Sequence, residues 1–329
     1  MSILLLLLIL LFGLVGGGGY TSEPGLIEPT IEEAPPLLPP PPPGAADQTV
    51  ATPRADAKPA VVREAWRNPD VIVDVATVDA LLGASTTKVI ALTPAEDFAA
   101  GHIPGAVQID WEPFEIVETG DQSVATWRTE VETILTELGI QETDTVVVYD
   151  GGTFYASRLW WVLDQLGHEN KLILDGGLDA WQVAGMPVET GGEWVGFTPA
   201  DPYAGTPDET AIATIDEVEA ALADPNVVLV DARTPEEYAA GHIPGAVNIP
   251  FTDNAAPDSD GRWKTPEELR AMYEAASVTK DMTVIPYCLT GVRSAATYVT
   301  LTALGYPDVS LFTGSWAEWS ADPDRPVEV

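Results

Sequence analysis

The chain contains a single cysteine, Cys288, in 329 residues, and its sequence context is that of a nucleophile. Cys288 follows the apolar, strand-like run 284–287 and precedes a loop, residues 289–293, that contains glycine and ends in arginine before a helical stretch. At such a strand–loop–helix junction, backbone N–H groups and the positive end of the helix dipole favour an anion. The sequence therefore predicts a reactive thiolate at Cys288.

Two residues of the loop strengthen this interpretation. Gly291 is free to adopt a tight turn that directs N–H groups inward, and Arg293 adds a permanent positive charge. The alternative is that Cys288 is a small buried hydrophobe, as most free cysteines are. We favour the anion cradle, because glycine and arginine follow the cysteine at the start of a predicted helix.

An internal repeat divides the chain into two homologous halves. Residues 98–107 (FAAGHIPGAV) match residues 238–247 (YAAGHIPGAV), 140 positions later, and the offset falls to 138 farther along the chain. His102 and His242 occupy equivalent places in both copies, so we interpret them as turn and packing residues.

The ionic residues of the second half have no counterparts in the first. Asp150 stands where the second half has Cys288, which puts a negative charge where an anion should bind. We therefore predict that the first half is catalytically inactive and forms one wall of an interdomain cleft. The aligned pairs are Asp231 with Ala91, Arg233 with Thr93, Cys288 with Asp150, and Arg293 with Tyr155.

Short β-branched runs alternate with helical stretches, which predicts an α/β fold with a mostly parallel sheet flanked by helices in each half. Functional sites of such sheets lie beyond the carboxyl ends of the strands, where Cys288 falls. In the second half the predicted strands are 227–231, 283–287 and 309–312, and the predicted helices are 215–223, 235–240, 266–276 and 294–304.

The N-terminal sixty residues differ in composition from the rest. Residues 1–20 carry an apolar run typical of a signal peptide or an N-terminal membrane anchor, which predicts export to the periplasm or the extracellular space. Residues 21–60 are proline-rich and predict a disordered linker. We expect a non-catalytic domain at 61–194, an interdomain linker at 195–210 and a catalytic domain at 211–329.

The net charge of −36 argues against a nucleic-acid partner, because a phosphate backbone would be repelled. A single cysteine excludes an internal disulfide and leaves a free thiol in an exported protein. We expect a monomer.

Taken together, these motifs resemble those of the tandem-domain rhodaneses, the thiosulfate sulfurtransferases. The resemblance spans about residues 61–329. It implies two tandem rhodanese-like domains, the first inactive, and a six-residue loop that holds a persulfide on the cysteine. The motifs that carry it are Asp231-Ala232-Arg233, the Gly-His-Ile-Pro-Gly-Ala segment at 241–246, the loop 288–293 and Gly314-Ser315-Trp316.

The resemblance also implies a mechanism. The thiolate of Cys288 takes the outer sulfur of thiosulfate and later passes it to cyanide or a thiol acceptor. Neither a metal nor a cofactor is required. The implied substrate-binding residues are Arg233, Arg293 and the loop residues Leu289, Thr290, Gly291 and Val292, with Asp231 and Trp316 in supporting roles.

Several alternatives remain open at this point. The donor is 3-mercaptopyruvate in one branch of the family, which has Gly-Ser-Gly-Val-Thr after its cysteine and resembles this loop less. A non-catalytic persulfide carrier or binding module of the cell envelope is a second alternative. Arg233 has a rival role as a salt-bridge partner of Glu236 or Glu237, or as a link across the domains. A cysteine phosphatase is disfavoured, because it needs a longer loop than the four residues between Cys288 and Arg293.

Overall fold

The structure, a computed structural model, describes residues 66–116, 118–192, 196–197, 201–257, 259 and 261–329. The predicted signal or anchor segment and the proline-rich linker lie outside these residues, and the predicted interdomain linker lies partly outside them. The described residues all belong to one compact unit. Within the described ranges, no helix is long and apolar enough to cross a bilayer.

The first half is built on a five-stranded parallel sheet with the strand order β1-β5-β4-β2-β3. Alternate residues of the central strand face opposite layers: Val146 and Val148 pack into one apolar cluster and Val147 into another. Both faces are therefore covered, as a parallel sheet requires. The strands are β1 (Ile72–Val73), β2 (Thr87–Ala91), β3 (Val107–Gln108), β4 (Thr145–Tyr149) and β5 (Lys171–Leu174), and the helices are α1 (Val75–Leu81), α2 (Ala95–Ala100), α3 (Asp121–Leu138), α4 (Ala156–Gln165) and α5 (Gly177–Val183).

The second half repeats this design around a parallel sheet of order β7-β6-β8. Helices α6, α7 and α8 each begin with a threonine capping box, Thr214, Thr234 and Thr265, which satisfies N–H groups of the first turn. The predicted α/β fold is confirmed. The strands are β6 (Val227–Asp231), β7 (Val247–Asn248) and β8 (Thr283–Tyr287), and the helices are α6 (Ile215–Ala221), α7 (Pro235–Ala240), α8 (Pro266–Ala275), α9 (Ser294–Leu304) and α10 (Ser315–Ser320).

The strand predicted at 309–312 was wrong, because this segment forms only isolated bridges to its neighbours. Val284 exchanges two backbone hydrogen bonds with it. Two residues farther along β8, Pro286 accepts a hydrogen bond from the N–H of Phe312 at 3.1 Å but has no N–H to return. The ladder therefore stops, whereas in the first half Val148 occupies the equivalent place and β5 forms.

The two halves pack on each other through their equivalent helices, α4 and α9. Phe154 meets the ring of Trp263 edge-on at 4.4 Å, and the hydroxyl of Tyr298 donates to Asp164 at 2.8 Å. One apolar cluster runs continuously from the first half into the second. This packing places the start of α4 beside the loop that precedes α9.

Candidate active site

Cys288 lies at the carboxyl end of β8, in a pocket of about 380 Å³. Only 1% of its surface is exposed. Both halves of the chain contribute to the pocket, so the first half forms one wall of it. The lining residues are Trp111 and Tyr155 from the first half and Glu237, Cys288, Leu289, Thr290, Val292 and Arg293 from the second.

The loop after Cys288 presents backbone donors that have no acceptor. In the part of the chain that the structure describes, the N–H groups of residues 289–294 donate to no protein atom. The turn that exposes them depends on Gly291, whose φ is +81°. A Cβ atom there would lie 2.5 Å from the carbonyl oxygen of Thr313, so only glycine fits. The predicted cradle of N–H groups is therefore present.

The equivalent loop of the first half shows what such a cradle binds. One carboxylate oxygen of Asp150 accepts from the N–H groups of Gly152 at 2.7 Å and Thr153 at 3.0 Å, and the other accepts from Ala156 at 2.9 Å. Burial raises the pKa of Asp150, and these three donors act in the opposite direction. The first-half cradle is thus filled by a side chain of the protein itself, which leaves no room for a substrate anion.

Helix α10 anchors the strand end that carries the thiol. The N–H of Cys288 donates to the hydroxyl of Ser315 at 3.1 Å, which in turn donates to the carbonyl of Phe312 at 2.8 Å. The carbonyl of Cys288 accepts from the N–H of Trp316 at 3.1 Å. Ser315 adopts a left-handed backbone conformation with φ of 57°, which the sequence did not predict.

Arg158 of helix α4 reaches from the first half to the catalytic loop. Its guanidinium donates to the carbonyl of Phe114 at 2.5 and 3.0 Å, to the hydroxyl of Thr313 at 2.9 Å and to the carbonyl of Gly291 at 3.5 Å. Phe114 and Arg158 belong to the first half, and Gly291 and Thr313 belong to the second. Arg158 therefore fixes the position of the loop relative to the rest of the protein.

The charge of Arg158 also acts on the site. Its side chain is fully buried and stacks on Trp161 at 4.4 Å. Burial lowers the pKa of Arg158, while negative charge on Cys288 and Glu115 favours its protonated form. Sequence reasoning missed Arg158, because it set the first half aside as inactive. The available signal was a lone cation in the otherwise apolar run 158–163.

Arg293 borders the pocket, as predicted, but its guanidinium is already paired. It donates to both carboxylate oxygens of Glu237, at 2.7 and 2.8 Å. The hydrogen bonds from Arg293 lower the pKa of Glu237 to about 2. The same pair raises the pKa of Arg293, and negative charge on Cys288 acts in the same direction. An anion in the pocket would thus meet Arg293 together with Glu237.

Arg233, Asp231 and Trp316 lie beside the site without lining the pocket. The guanidinium of Arg233 donates to Asp231 at 2.6 Å and to the carbonyl of Gly241 at 2.7 Å, and it stacks on Trp316 at 4.5 Å. Arg233 is only 3% exposed. Its ion-pair partner is Asp231 rather than Glu236 or Glu237. A contact between Arg233 and the substrate stays a prediction that this placement does not favour.

The two repeated histidines have the same surroundings in both halves. His102 stacks on Phe98 at 3.9 Å, and His242 stacks on Tyr238 at 3.6 Å. Each Nδ1 lies 2.9 Å from the backbone carbonyl of its stacking partner. Their placement agrees with the predicted turn and packing role.

The site as a whole suits a negatively charged sulfur species. A buried thiol, unpaired N–H groups and nearby guanidinium groups stabilise an anion at the same point. Among the described residues, no group of three or more His, Cys, Asp or Glu side chains is arranged to hold a metal ion.

Comparison with known proteins identifies related chains. The Rhodanese-like domain family model matches residues 74–184 and again residues 214–322. A thiosulfate sulfurtransferase of Pseudomonas aeruginosa is 34% identical over 263 residues, which cover 75% of this chain and 93% of that protein. The sulfur carrier protein TtuD of Thermus thermophilus is 34% identical over 280 residues, covering 77% and 95%. The crystal structure of the 3-mercaptopyruvate sulfotransferase SseA from Escherichia coli superposes with a TM-score of 0.65 at 27% identity, covering 78% of this chain and 100% of that one.

The geometry of the loop predicts that Gly291→Ala is more destabilising than an ordinary substitution of a left-handed glycine. Gly245 has nearly the same φ, +77°, but open space around its missing Cβ. Gly245→Ala should therefore lower the free energy of unfolding only by its backbone strain, about 1–2 kcal/mol. Gly291→Ala adds a clash with Thr313, so we expect its free energy of unfolding to fall by about 3–4 kcal/mol. Denaturant unfolding of both variants measures the difference, and equal losses would show that the loop relaxes freely.

The contacts of Arg158 predict that Arg158→Met impairs the site while the protein remains folded. Without the guanidinium, the loop loses its link to the first half, and misplacement by about 1 Å lowers turnover by about 10²-fold. Alkylation of Cys288 by iodoacetamide at fixed pH should also become slower, because the loop beside the thiol is no longer held in place and a buried positive charge near it is gone.

Arg128→Met is the matched control. Arg128 also belongs to the first half and pairs across to Glu209 of the interdomain linker at 2.7 Å, but it does not line the pocket. We expect an unchanged alkylation rate for this variant. If both variants slowed alkylation equally, the effect of Arg158 would be one of general packing. Arg158→Lys should retain part of the rate, because it keeps the charge and loses the fork of donors.

Proposed function

Because the chain belongs to the rhodanese family of sulfurtransferases, we propose that it transfers the sulfane sulfur of thiosulfate to a thiophilic acceptor, cyanide or a thiol, through a persulfide on Cys288. The observation that carries the proposal is the thiol of Cys288 beside backbone N–H groups that have no acceptor among the described residues. Unpaired N–H groups next to a nucleophile favour negative charge on the sulfur both before and after transfer.

The proposed reaction is a double displacement that needs no oxidant or reductant. The thiolate of Cys288 attacks the outer sulfur of thiosulfate, and a new sulfur–sulfur bond forms. The sulfur–sulfur bond of thiosulfate breaks, and sulfite leaves with the electron pair. In the second step the acceptor attacks the outer sulfur of the persulfide, and the cysteine leaves as a thiolate.

We assign the sulfonate end of thiosulfate to Arg293. This guanidinium and Cys288 line the same pocket, and Arg293 is close enough to Cys288 that negative charge on the sulfur raises its pKa. Arg158 contacts the loop on the side away from the pocket and does not line the pocket. The N–H groups of residues 289–294 remain for the transferred sulfur.

Two rival functions share the same loop. A 3-mercaptopyruvate donor has a carboxylate in place of the sulfonate, and Arg293 would bind it in the same way. A carrier would hold the persulfide without turning over a small donor, as the name of the Thermus thermophilus relative suggests for that protein. Thiosulfate is preferred, because the sequence after Cys288 departs from the pattern typical of the mercaptopyruvate branch.

The central prediction is that thiosulfate alone converts the full chain to a persulfide. Intact-mass spectrometry after incubation should show a gain of one sulfur atom, and cyanide should remove it with the release of thiocyanate. Cys288→Ser should show no gain. A chain that gains sulfur from 3-mercaptopyruvate and none from thiosulfate would overturn the proposed donor. A chain that gains sulfur but turns over neither donor would be a carrier.

The pairing of Arg293 predicts the effect of Glu237 on the donor. Glu237→Gln removes a negative charge from the pocket wall and weakens the hold on the guanidinium, so the KM for thiosulfate should fall by about fivefold. Glu236→Gln is the matched control, because Glu236 precedes it on α7 and does not line the pocket. Steady-state kinetics of thiocyanate formation measure both variants. A KM that rises in Glu237→Gln would mean that Glu237 positions Arg293 for binding.

A further inference from the structure

Helix α10 holds the first peptide groups of the loop after Cys288 through its own first turn. The N–H groups of Trp316 and Ala317 donate to the carbonyl oxygens of Cys288 at 3.1 Å and of Leu289 at 3.0 Å. A carbonyl and the N–H that follows it share one rigid peptide plane. These two contacts therefore fix the directions in which the unpaired N–H groups of Leu289 and Thr290 point.

Glu318, on the same helix, joins α10 to the first half. Its two carboxylate oxygens accept hydrogen bonds from the N–H of Thr119 at 2.8 Å and from the hydroxyl of Thr119 at 2.8 Å. Thr119 is only 1% exposed, and its hydroxyl oxygen also accepts from the N–H of Ile215 at 3.0 Å. A helix of six residues has little stability of its own. The contact with Thr119 therefore helps to set where α10 lies.

The place of this carboxylate explains why residue 314 is glycine. The φ of Gly314 is −65°, which any residue adopts, so backbone freedom is not the reason. A Cβ atom there would overlap a carboxylate oxygen of Glu318, which folds back over the start of the helix. The Gly-Ser-Trp motif at 314–316 thus accommodates Glu318, besides anchoring Cys288 through the hydroxyl of Ser315.

The first half lacks this arrangement. Ala180 stands where the second half has the carboxylate. The N–H of Leu178 still donates to the carbonyl of Asp150 at 2.8 Å, but the N–H of Asp179 donates to no loop carbonyl in the described part of the chain. The carboxylate and the second contact between helix and loop thus occur together, in the half that carries the cysteine.

We propose that Glu318 is a positioning residue for the reaction at Cys288, and that it acts through α10 on the two peptide groups that follow the cysteine. Glu318 does not line the pocket. Its effect therefore falls on the rate of sulfur transfer rather than on the binding of the donor. The proposal rests on the proposed persulfide chemistry of Cys288, but the contact between helix and loop can be measured without a sulfur donor.

Glu318→Ala in the full chain tests the proposal by two measurements. Single-turnover persulfide formation at saturating thiosulfate should slow by about tenfold or more, because the N–H groups around the sulfur are no longer aligned. The half-saturating thiosulfate concentration should stay within about twofold, because Arg293 still borders the pocket. Hydrogen exchange, measured by mass spectrometry without a donor, should be about tenfold faster at the N–H groups of Trp316 and Ala317.

A conservative variant and a matched control complete the experiment. Glu318→Gln keeps an acceptor for the N–H of Thr119 and should restore most of the rate. Glu328→Ala removes a carboxylate that also accepts a backbone N–H, that of Gly245 at 3.0 Å, but lies off α10. It should leave the rate and the exchange unchanged. If Glu318→Ala does not fold, Thr119→Val removes one of the two donors and should slow transfer in the same direction.

Three results would overturn the proposal. The first is unchanged exchange at α10 in Glu318→Ala, and the second is equal slowing of persulfide formation in Glu328→Ala. The third is a raised half-saturating concentration at an unchanged maximal rate, which would assign Glu318 to donor binding. Because exchange needs no donor, a chain that takes no sulfur from thiosulfate would contradict the proposed function while the contact between α10 and the loop is still tested.

Discussion

The structure is organised around one requirement, that an anion must complete a ring of backbone N–H groups at the loop between a strand and a helix. Unpaired N–H groups away from water are costly. In the first half Asp150 meets the requirement permanently, with three donors on its carboxylate. In the second half Cys288 occupies the same position, which is where the proposed reaction places an anionic sulfur. Exchange of one side chain thus separates a structural cradle from a reactive one.

The first half supports the loop that follows Cys288, because contacts across the interface hold that loop in place. Gly291 is forced into a left-handed turn against Thr313, and the carbonyl that this turn presents is held by Arg158 from across the interface. Arg158 also binds Thr313, so a single guanidinium supports both sides of the turn. The two copies of the domain therefore have different roles. The first copy, which lacks the cysteine, supplies Arg158 and one wall of the pocket. The second copy carries Cys288.

Features set by residues adjacent in the chain could be predicted from the sequence, whereas contacts between the two halves could not. The position of Cys288 after a buried strand follows from residues adjacent in the chain, and the repeat then exposed the loss of the nucleophile in the first half. The proline at position 286 could have warned against a strand at 309–312, because a residue without an N–H interrupts the hydrogen-bond ladder between strands. Arg158 and the left-handed Ser315 were missed, because their partners are distant in sequence. The predicted signal or anchor at residues 1–20 stays a prediction.

An anionic substrate and a protein of net charge −36 are compatible because the two effects act over different distances. Exposed carboxylates are screened beyond a Debye length of about 8 Å at physiological ionic strength. The guanidinium of Arg158 is buried, and so are Gly291, Val292 and Ser294 of the loop, so solvent ions screen these groups far less. Solvent ions therefore weaken the attraction of Arg158 for an anion at Cys288 less than they weaken the repulsion from distant surface carboxylates.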